Sequence, residues 1–192
     1  MKKLYHLLAA AMAALVVCTT GATTVIPPSF DDLVSRAQII FQGTVTGVRS
    51  EWIGEGAQRH IVSYVTFKVE DALKGNPGPE ITLRMLGGTV AGQTMEVTDA
   101  PKFKAGDRDV LFVENNGTQF IPLVGIMHGR YHVRKDANGQ DTIYDNTGSP
   151  VSSTEHVGKA ALTAAAAAAG AQAMTLQQFK QAVVSRAGQL AP

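Results

Sequence analysis

The chain has 192 residues, of which 45% are hydrophobic, enough for a buried core and too many for an intrinsically disordered protein. Without Lys2 and Lys3, which lie in a predicted export signal, 15 basic and 16 acidic residues leave a net charge of −1. This near-neutral charge argues against a general nucleic-acid-binding protein, which carries an excess of basic residues.

Residues 1–22 have the pattern of a cleavable secretory signal peptide. Lys2 and Lys3 form a positive start, and the apolar stretch from Leu4 to Val17 is too short to span a bilayer. Small residues follow, and we expect cleavage after Ala22. The sequence therefore predicts an exported protein, periplasmic or secreted, without stable membrane insertion once the signal is removed.

Cys18 is the only cysteine of the chain. A lipoprotein signal needs a small residue directly before the lipidated cysteine, and here that residue is Val17. We therefore expect Cys18 not to be lipidated. Cleavage after Ala22 would leave a mature chain without cysteine, which excludes disulfides and thiol chemistry.

A short helix is predicted at the start of the mature chain. Ser29 can cap the backbone N–H groups, and the following aspartates favour the positive end of the helix dipole. The helix is expected to end at about Ala37, with Phe30, Leu33 and Val34 on one face.

The next hundred residues predict a series of short antiparallel strands. Residues 60–74 alternate with a period of two, which places Phe67 on the buried face and Lys68 on the wet face. The apolar run Val110–Val113, which contains Phe112, indicates a central strand. Asn116-Gly117 favours a type I′ hairpin turn. Strands are expected at residues 39–49, 60–74, 81–85, 94–98, 110–113, 119–124, 130–134 and 142–144.

The tail differs in composition from the strands. Residues 150–173 are rich in alanine, with six in a row from Ala164, and they predict a partly helical linker. A helix is expected over residues 174–188, with a Thr175/Gln178 capping box, Met174 packed on the new helix, and a stripe of Leu176, Phe179 and Val183. Because this stripe is narrow, we expect a chain that ends at Pro150 to keep its melting temperature.

Three segments carry a resemblance to a known family. They are Gln38–Val45 (QIIFQGTV), Val69–Gly75 (VEDALKG) and Phe103–Phe112 (FKAGDRDVLF). Their pattern resembles the netrin-like domain, the OB-type barrel of tissue inhibitors of metalloproteinases, and similar exported bacterial proteins. The resemblance covers about residues 30–125. It implies a mainly β fold, a small antiparallel Greek-key barrel over residues 24–149 with a short N-terminal and a C-terminal helix.

The inhibitory mechanism of that family does not carry over. Tissue inhibitors chelate the protease zinc through an N-terminal cysteine, whereas this mature chain is expected to begin Thr23-Thr24-Val25. The resemblance therefore implies a fold and not an activity.

Two histidines and four methionines are candidate metal ligands. His128 and His132 lie four residues apart in a predicted strand, too far for one ion, and share the parity of Arg130 and Arg134 on the wet face. The four mature methionines form no cluster, which disfavours copper; Met127-His128 is the one adjacent pair. The methionines are Met85, Met95, Met127 and Met174.

Other constellations are interpreted as structural. Ser152, Ser153, Glu155 and His156 fall in a polar junction without a nucleophile-elbow motif. Asp31-Asp32 is interpreted as a helix-capping pair, Gly87-Gly88 lacks the lysine of a phosphate loop, and Asn116-Gly117-Thr118 is a glycosylation sequon at a predicted turn. Tyr64, Lys68 and Trp52 are aromatic and basic residues of the kind that bind single-stranded nucleic acid.

We therefore predict a non-catalytic exported module that binds a protein partner through loops, with no catalytic, cofactor or metal residues. One alternative is a small-ligand or metal-binding protein that uses Met127, His128 or the barrel mouth. A second is a hydrolase with an unrecognised site.

The export signal is testable on secreted material. We expect intact-mass and N-terminal analysis to find a chain that begins at Thr23, because the small residues before it fit signal peptidase. A diacylated Cys18 at the N-terminus would contradict this prediction.

Overall fold

The computed structural model describes residues 27–158 and 172–190. The predicted signal peptide, Cys18 and most of the alanine-rich linker lie outside these ranges. Neither described helix is both long and apolar enough to cross a membrane. The elements are α1 (Phe30–Arg36), β1 (Ile39–Ile53), β2 (His60–Lys74), β3 (Glu80–Leu86), β4 (Gly88–Val90), β5 (Gln93–Met95), β6 (Arg108–Val113), β7 (Arg130–Lys135), β8 (Asp141–Tyr144) and α2 (Leu176–Leu190).

Helix α1 begins as the sequence predicts. The Ser29 hydroxyl accepts from the Asp32 backbone N–H at 3.1 Å, and the Asp32 carboxylate accepts from the Ser29 backbone N–H. This reciprocal pair forms a capping box, which satisfies two otherwise free donors. The predicted apolar face is confirmed, since Phe30, Leu33 and Val34 are all buried.

The main sheet has six antiparallel strands in the order β3-β2-β1-β6-β7-β8, and β4 and β5 form a separate hairpin. Strand β1 extends four residues beyond the predicted end at Arg49. Its pairing with β2 shifts register at Ile40/Phe41, Gln42/Gly43 and Val45/Gly47. Such irregularities bend a strand and increase its twist, so the middle of the sheet is curved.

Both faces of the central strands are buried. Ile40 and Phe112 belong to the cluster that packs against the two helices, whereas Phe41 and Leu111 belong to a second cluster inside the curved sheet. Neighbouring residues on a strand point to opposite faces, so a strand covered on both sides is apolar throughout. The prediction of a central strand at Val110–Val113 is confirmed, as is the burial of Phe112; Phe67 is also fully buried.

The mainly β class is confirmed, but the Greek-key barrel is not. Within the described ranges the sheet keeps two separate edges, β3 and β8, and does not close into a barrel. At the β3 edge the Asn116 side chain accepts from the Arg84 N–H and donates to the Thr82 carbonyl. The β6–β7 loop, residues 114–129, therefore covers that edge with side-chain hydrogen bonds instead of a strand.

The predicted hairpin into a strand at residues 119–124 is wrong. The N–H groups of Thr118 and Gln119 both bind the Asn115 carbonyl, which keeps this segment in turns. Only Leu123 forms a strand-like bridge, with Val113. Pro122 has no N–H to donate to a ladder, which explains why an apolar run here does not become a strand.

Helix α2 belongs to the core of the domain. The predicted capping box is confirmed by hydrogen bonds of 2.9 and 3.1 Å between Thr175 and Gln178. The stripe is buried at Leu176, Phe179 and Val183, and partly buried Met174 packs against the same cluster. This packing argues against the expected independence of the tail from the rest of the fold.

The contribution of α2 can be measured by truncating its central aromatic residue. Phe179 is fully buried against Phe30, Phe112 and Tyr131, so Phe179→Ala should cost about 3–5 kcal/mol of unfolding free energy. Val184, on the exposed face of the same helix, provides the control, and Val184→Ala should cost less than about 1 kcal/mol. Equally small effects in chemical denaturation would show that the helix is separable.

Candidate functional site

A network of buried charges connects the starts of β6 and β7. The Arg130 side chain is only 5% exposed, and its Nη2 donates to Asp107 at 2.8 Å and to Asp109 at 2.9 Å. Its Nη1 donates to the Lys102 carbonyl at 2.6 Å, and the guanidinium lies over the Phe103 ring at 3.9 Å. A buried cation needs such partners, because removal from water is otherwise costly.

His132 is held by the same network. It pairs with Asp109 across the two strands, and its Nδ1 donates to Asp109 Oδ1 at 2.9 Å. Because the carboxylate fixes the proton on Nδ1, the Nε2 atom is left for another partner. The His132 side chain is 23% exposed, and it lines an open cleft.

The predicted wet face of β7 is wrong at Arg130. Arg134 is exposed as expected, but Arg130, of the same parity, is buried. The segment 99–107 folds over this end of the sheet and covers it through Phe103 and the Lys102 carbonyl. One feature of the sequence could have indicated a buried charge here, because Asp109 directly precedes the apolar run Val110–Val113. In the structure Asp109 is fully buried.

An open cleft of about 710 Å³ lies beside this network, and we call it the Arg130 cleft. Segment 99–107 forms one side, and the first part of β7 forms the other. Met127 and Asn146 complete the lining. Clefts of this size are typical of small-molecule sites.

The lining of the Arg130 cleft combines basic side chains with the apolar surfaces of Phe103 and Met127. Among the described residues that line it, none is serine, threonine or cysteine. His132 has the carboxylate-oriented geometry that a general base uses.

His128 and His132 have different environments. His128 lies in the turns before β7 and not in a strand, which corrects the predicted placement. Partial burial lowers the pKa of His128 below its ordinary value. Over residues 27–158 and 172–190, no three His, Cys, Asp or Glu side chains are grouped so that they could hold a metal ion.

A second cleft, of about 670 Å³, lies on the other side of segment 99–103. Two of the four methionines weighed as ligands, Met85 and Met95, line it. Met95 Sδ accepts from the Ile61 N–H at 3.4 Å, which is a structural role. Gly88 passes so close to Ser50 and Ser63 that a Cβ there would collide with their hydroxyls, so the glycine pair serves chain packing.

The β6–β7 loop presents an exposed aromatic side chain on a fixed backbone. Phe120 is 69% exposed, whereas its carbonyl accepts from the Leu86 N–H at 2.7 Å. The next residue, Ile121, is buried in the cluster inside the curved sheet. The backbone of Phe120 is therefore fixed by its neighbours, while most of its ring is exposed to solvent.

The same loop contains a strained residue. Ile126 has a φ of +61°, and its side chain is 43% exposed. A β-branched residue rarely adopts a positive φ, because its Cβ crowds the neighbouring carbonyl. Such strain persists only where surrounding contacts impose it, and it is concentrated at functional sites.

The polar junction after β8 brings together two residues that the sequence raised. Ser152 Oγ lies 3.1 Å from His156 Nδ1, and the Ser153 hydroxyl accepts from the Glu155 N–H at 3.2 Å. Glu155 and His156 lie in a 3₁₀ turn, Thr154–His156, which Ser153 caps, and Ser152 directly precedes it; all four residues are exposed or half-exposed. This local bonding accounts for their positions.

The aromatic residues considered for nucleic-acid stacking are covered by arginines, one from β1 and one from the connection between β1 and β2. Arg49 lies 4.0 Å from the Tyr64 ring centre, and Arg59 lies 4.4 Å from that of Trp52. Lys68 is exposed on the same face of β2 as Tyr64. Stacking of bases on these rings would require the arginines to move.

Comparison of the chain with models of known protein families and with curated proteins finds no match.

The buried network predicts unequal effects of two arginine substitutions on β7. Arg130→Met leaves the Asp107 and Asp109 carboxylates without their cation and should cost about 3–5 kcal/mol of unfolding free energy. Arg134→Met, a matched change at an exposed position four residues later, should cost less than about 1 kcal/mol. Urea denaturation of both variants is the measurement, and equal costs would contradict the assigned burial.

Proposed function

We propose that the protein is an exported, non-catalytic module that binds a protein partner through the β6–β7 loop. The observation that carries this proposal is the exposure of Phe120 on a backbone fixed by hydrogen bonds to the β3 edge. Aromatic residues are enriched at protein interfaces, where they fill a pocket of the partner.

Preorganisation of the loop supports this proposal. Asn116 binds Thr82 and Arg84, and the Asn115 N–H donates to the Gln38 side chain at 2.9 Å. A loop that is ordered before binding loses less conformational entropy when the partner docks. The exposed, strained Ile126 lies six residues from Phe120, so one loop carries two apolar side chains at the surface.

Export and fold ancestry are parts of the same proposal. The N-terminal pattern favours an oxidising compartment outside the cytoplasm, periplasmic or secreted, although the expected mature chain uses no disulfide. A netrin-like, OB-type origin is supported by the three sequence segments and by the strongly curved middle of the sheet. It would make partner binding, rather than catalysis, the natural role of the loops.

The role of Phe120 can be tested by comparative capture. The mature protein is immobilised and exposed to periplasmic extract and culture medium of the organism that makes it, and the retained proteins are quantified by mass spectrometry. We expect one protein that the wild type retains and that Phe120→Ser retains at least about tenfold less, since loss of an interface aromatic costs more than 1 kcal/mol.

Val184→Ser is the matched control, because Val184 is also an exposed apolar residue, 51% exposed against 69% for Phe120, and it lies on a different element, helix α2. It should retain the partner at the wild-type level, and both variants should keep the wild-type melting temperature. A partner lost equally from both variants, or from neither, would overturn the role assigned to the β6–β7 loop.

A further inference from the structure

The Arg130 cleft contains two cationic side chains that form no ion pair in the described part of the chain. In the described part of the chain, neither Lys104 nor Arg134 has a carboxylate oxygen within 4.0 Å. Both side chains line the cleft. Arg134 lies over the Tyr144 ring at 5.0 Å, which limits its freedom to move. Besides Lys104, the cleft therefore offers Arg134, a cationic group that is partly preorganised to bind an anion.

The other charges of the cleft are mostly paired. Arg108 forms two hydrogen bonds of 2.8 Å with Asp141, and Lys102 binds Glu96 at 2.7 Å. Arg130 is paired with Asp107 and Asp109 as described above. Asp99 is the remaining carboxylate of the lining, and no cation pairs with it among residues 27–158 and 172–190. Among the described residues of the lining, Lys104 and Arg134 are therefore the two cations without a carboxylate partner.

Another part of the lining is apolar. Phe103 is half-buried, with its ring packed edge-on against Phe67 at 5.4 Å. Ala100, Pro101 and Met127 extend this surface. Methionine adapts its shape to varied apolar groups, so this wall suits a compact hydrocarbon body.

We propose that the Arg130 cleft binds a small organic acid, with its carboxylate at Lys104 and Arg134 and its apolar body against Phe103 and Met127. A carboxylate accepts charge-assisted hydrogen bonds from lysine and arginine, whereas inorganic phosphate has no apolar body to place against Phe103 and Met127. The His132 side chain, held in place through Asp109, and the Asn146 amide add polar groups that select the orientation of the acid. This site is independent of partner binding through Phe120.

The test uses three probes on the full mature chain. Phenylacetate carries both the carboxylate and the apolar body, phenylacetamide lacks the charge, and inorganic phosphate lacks the body. We expect titrations followed by amide NMR to give saturable shifts in residues 99–107 with phenylacetate. Phenylacetamide and phosphate should each bind at least about tenfold more weakly.

Variants then assign the charge to its residues. Lys104→Gln and Arg134→Gln should each weaken phenylacetate binding at least about tenfold, because each removes a charge-assisted hydrogen bond. Arg59→Gln, at the far end of the β1–β2 hairpin, is the matched control and should bind as the wild type does. Phe120→Ser should also bind phenylacetate normally.

Three outcomes would overturn the proposal. The first is the absence of a saturable shift with phenylacetate in a protein that keeps its melting temperature. The second is phosphate binding as tight as that of phenylacetate, and the third is phenylacetate binding that the two cleft variants leave unchanged. Either of the last two would indicate general attraction of anions to a basic surface.

Discussion

The burial of β1 and β6 on both faces is the constraint on which the rest of the fold depends. Phe41 and Leu111 fill one side of the sheet, and Ile40 and Phe112 fill the other. A sheet with two apolar faces must be covered twice. Here α1 and α2 cover one face, and the curvature of the sheet itself, completed by segment 99–107, encloses the other. This is why a helix some sixty residues after β6 contributes Phe179 to the same core.

The way in which the sheet edges are covered determines which surfaces are left for recognition. Asn116 and the Phe120 carbonyl occupy the hydrogen-bonding groups of β3. At the other edge, Ile143 of β8 exchanges hydrogen bonds with Val151 and Met174. Exposed edges invite pairing with other chains. With both edges engaged, the recognition proposed for this protein rests on the side chains of the β6–β7 loop and the Arg130 cleft.

The Arg130 network couples the covering segment to the sheet. Segment 99–107 contributes Lys102, Phe103 and Asp107, and the strands contribute Asp109 and Arg130. A half-satisfied buried network is costly, so all these groups must be in place together. Folding of the segment over the sheet therefore also forms one wall of the Arg130 cleft and orients His132.

Local sequence determined what depends on neighbouring residues along the chain. Ser29 and Asp32, and Thr175 and Gln178, were identifiable as capping pairs because caps are formed within one helical turn. The alternation in β2 predicted the burial of Phe67 because strand periodicity is local. The continuous apolar run of β6 likewise indicated a central strand that is buried on both faces, although it did not indicate which segments bury it.

Only the tertiary structure decided which distant segments provide that cover. Arg130 was expected in water, because no local pattern reveals that Asp107, Asp109 and Phe103 surround it. The apolar run at residues 119–124 was expected to be a strand, but Asn116 reaches a different strand and holds the loop in turns. Helix α2 looked separable because its stripe is narrow, but Phe179 and Val183 pack into the cluster that covers one face of the sheet. Sequence patterns report on which faces are apolar, whereas pairing of distant faces and charges is fixed only when the chain is packed.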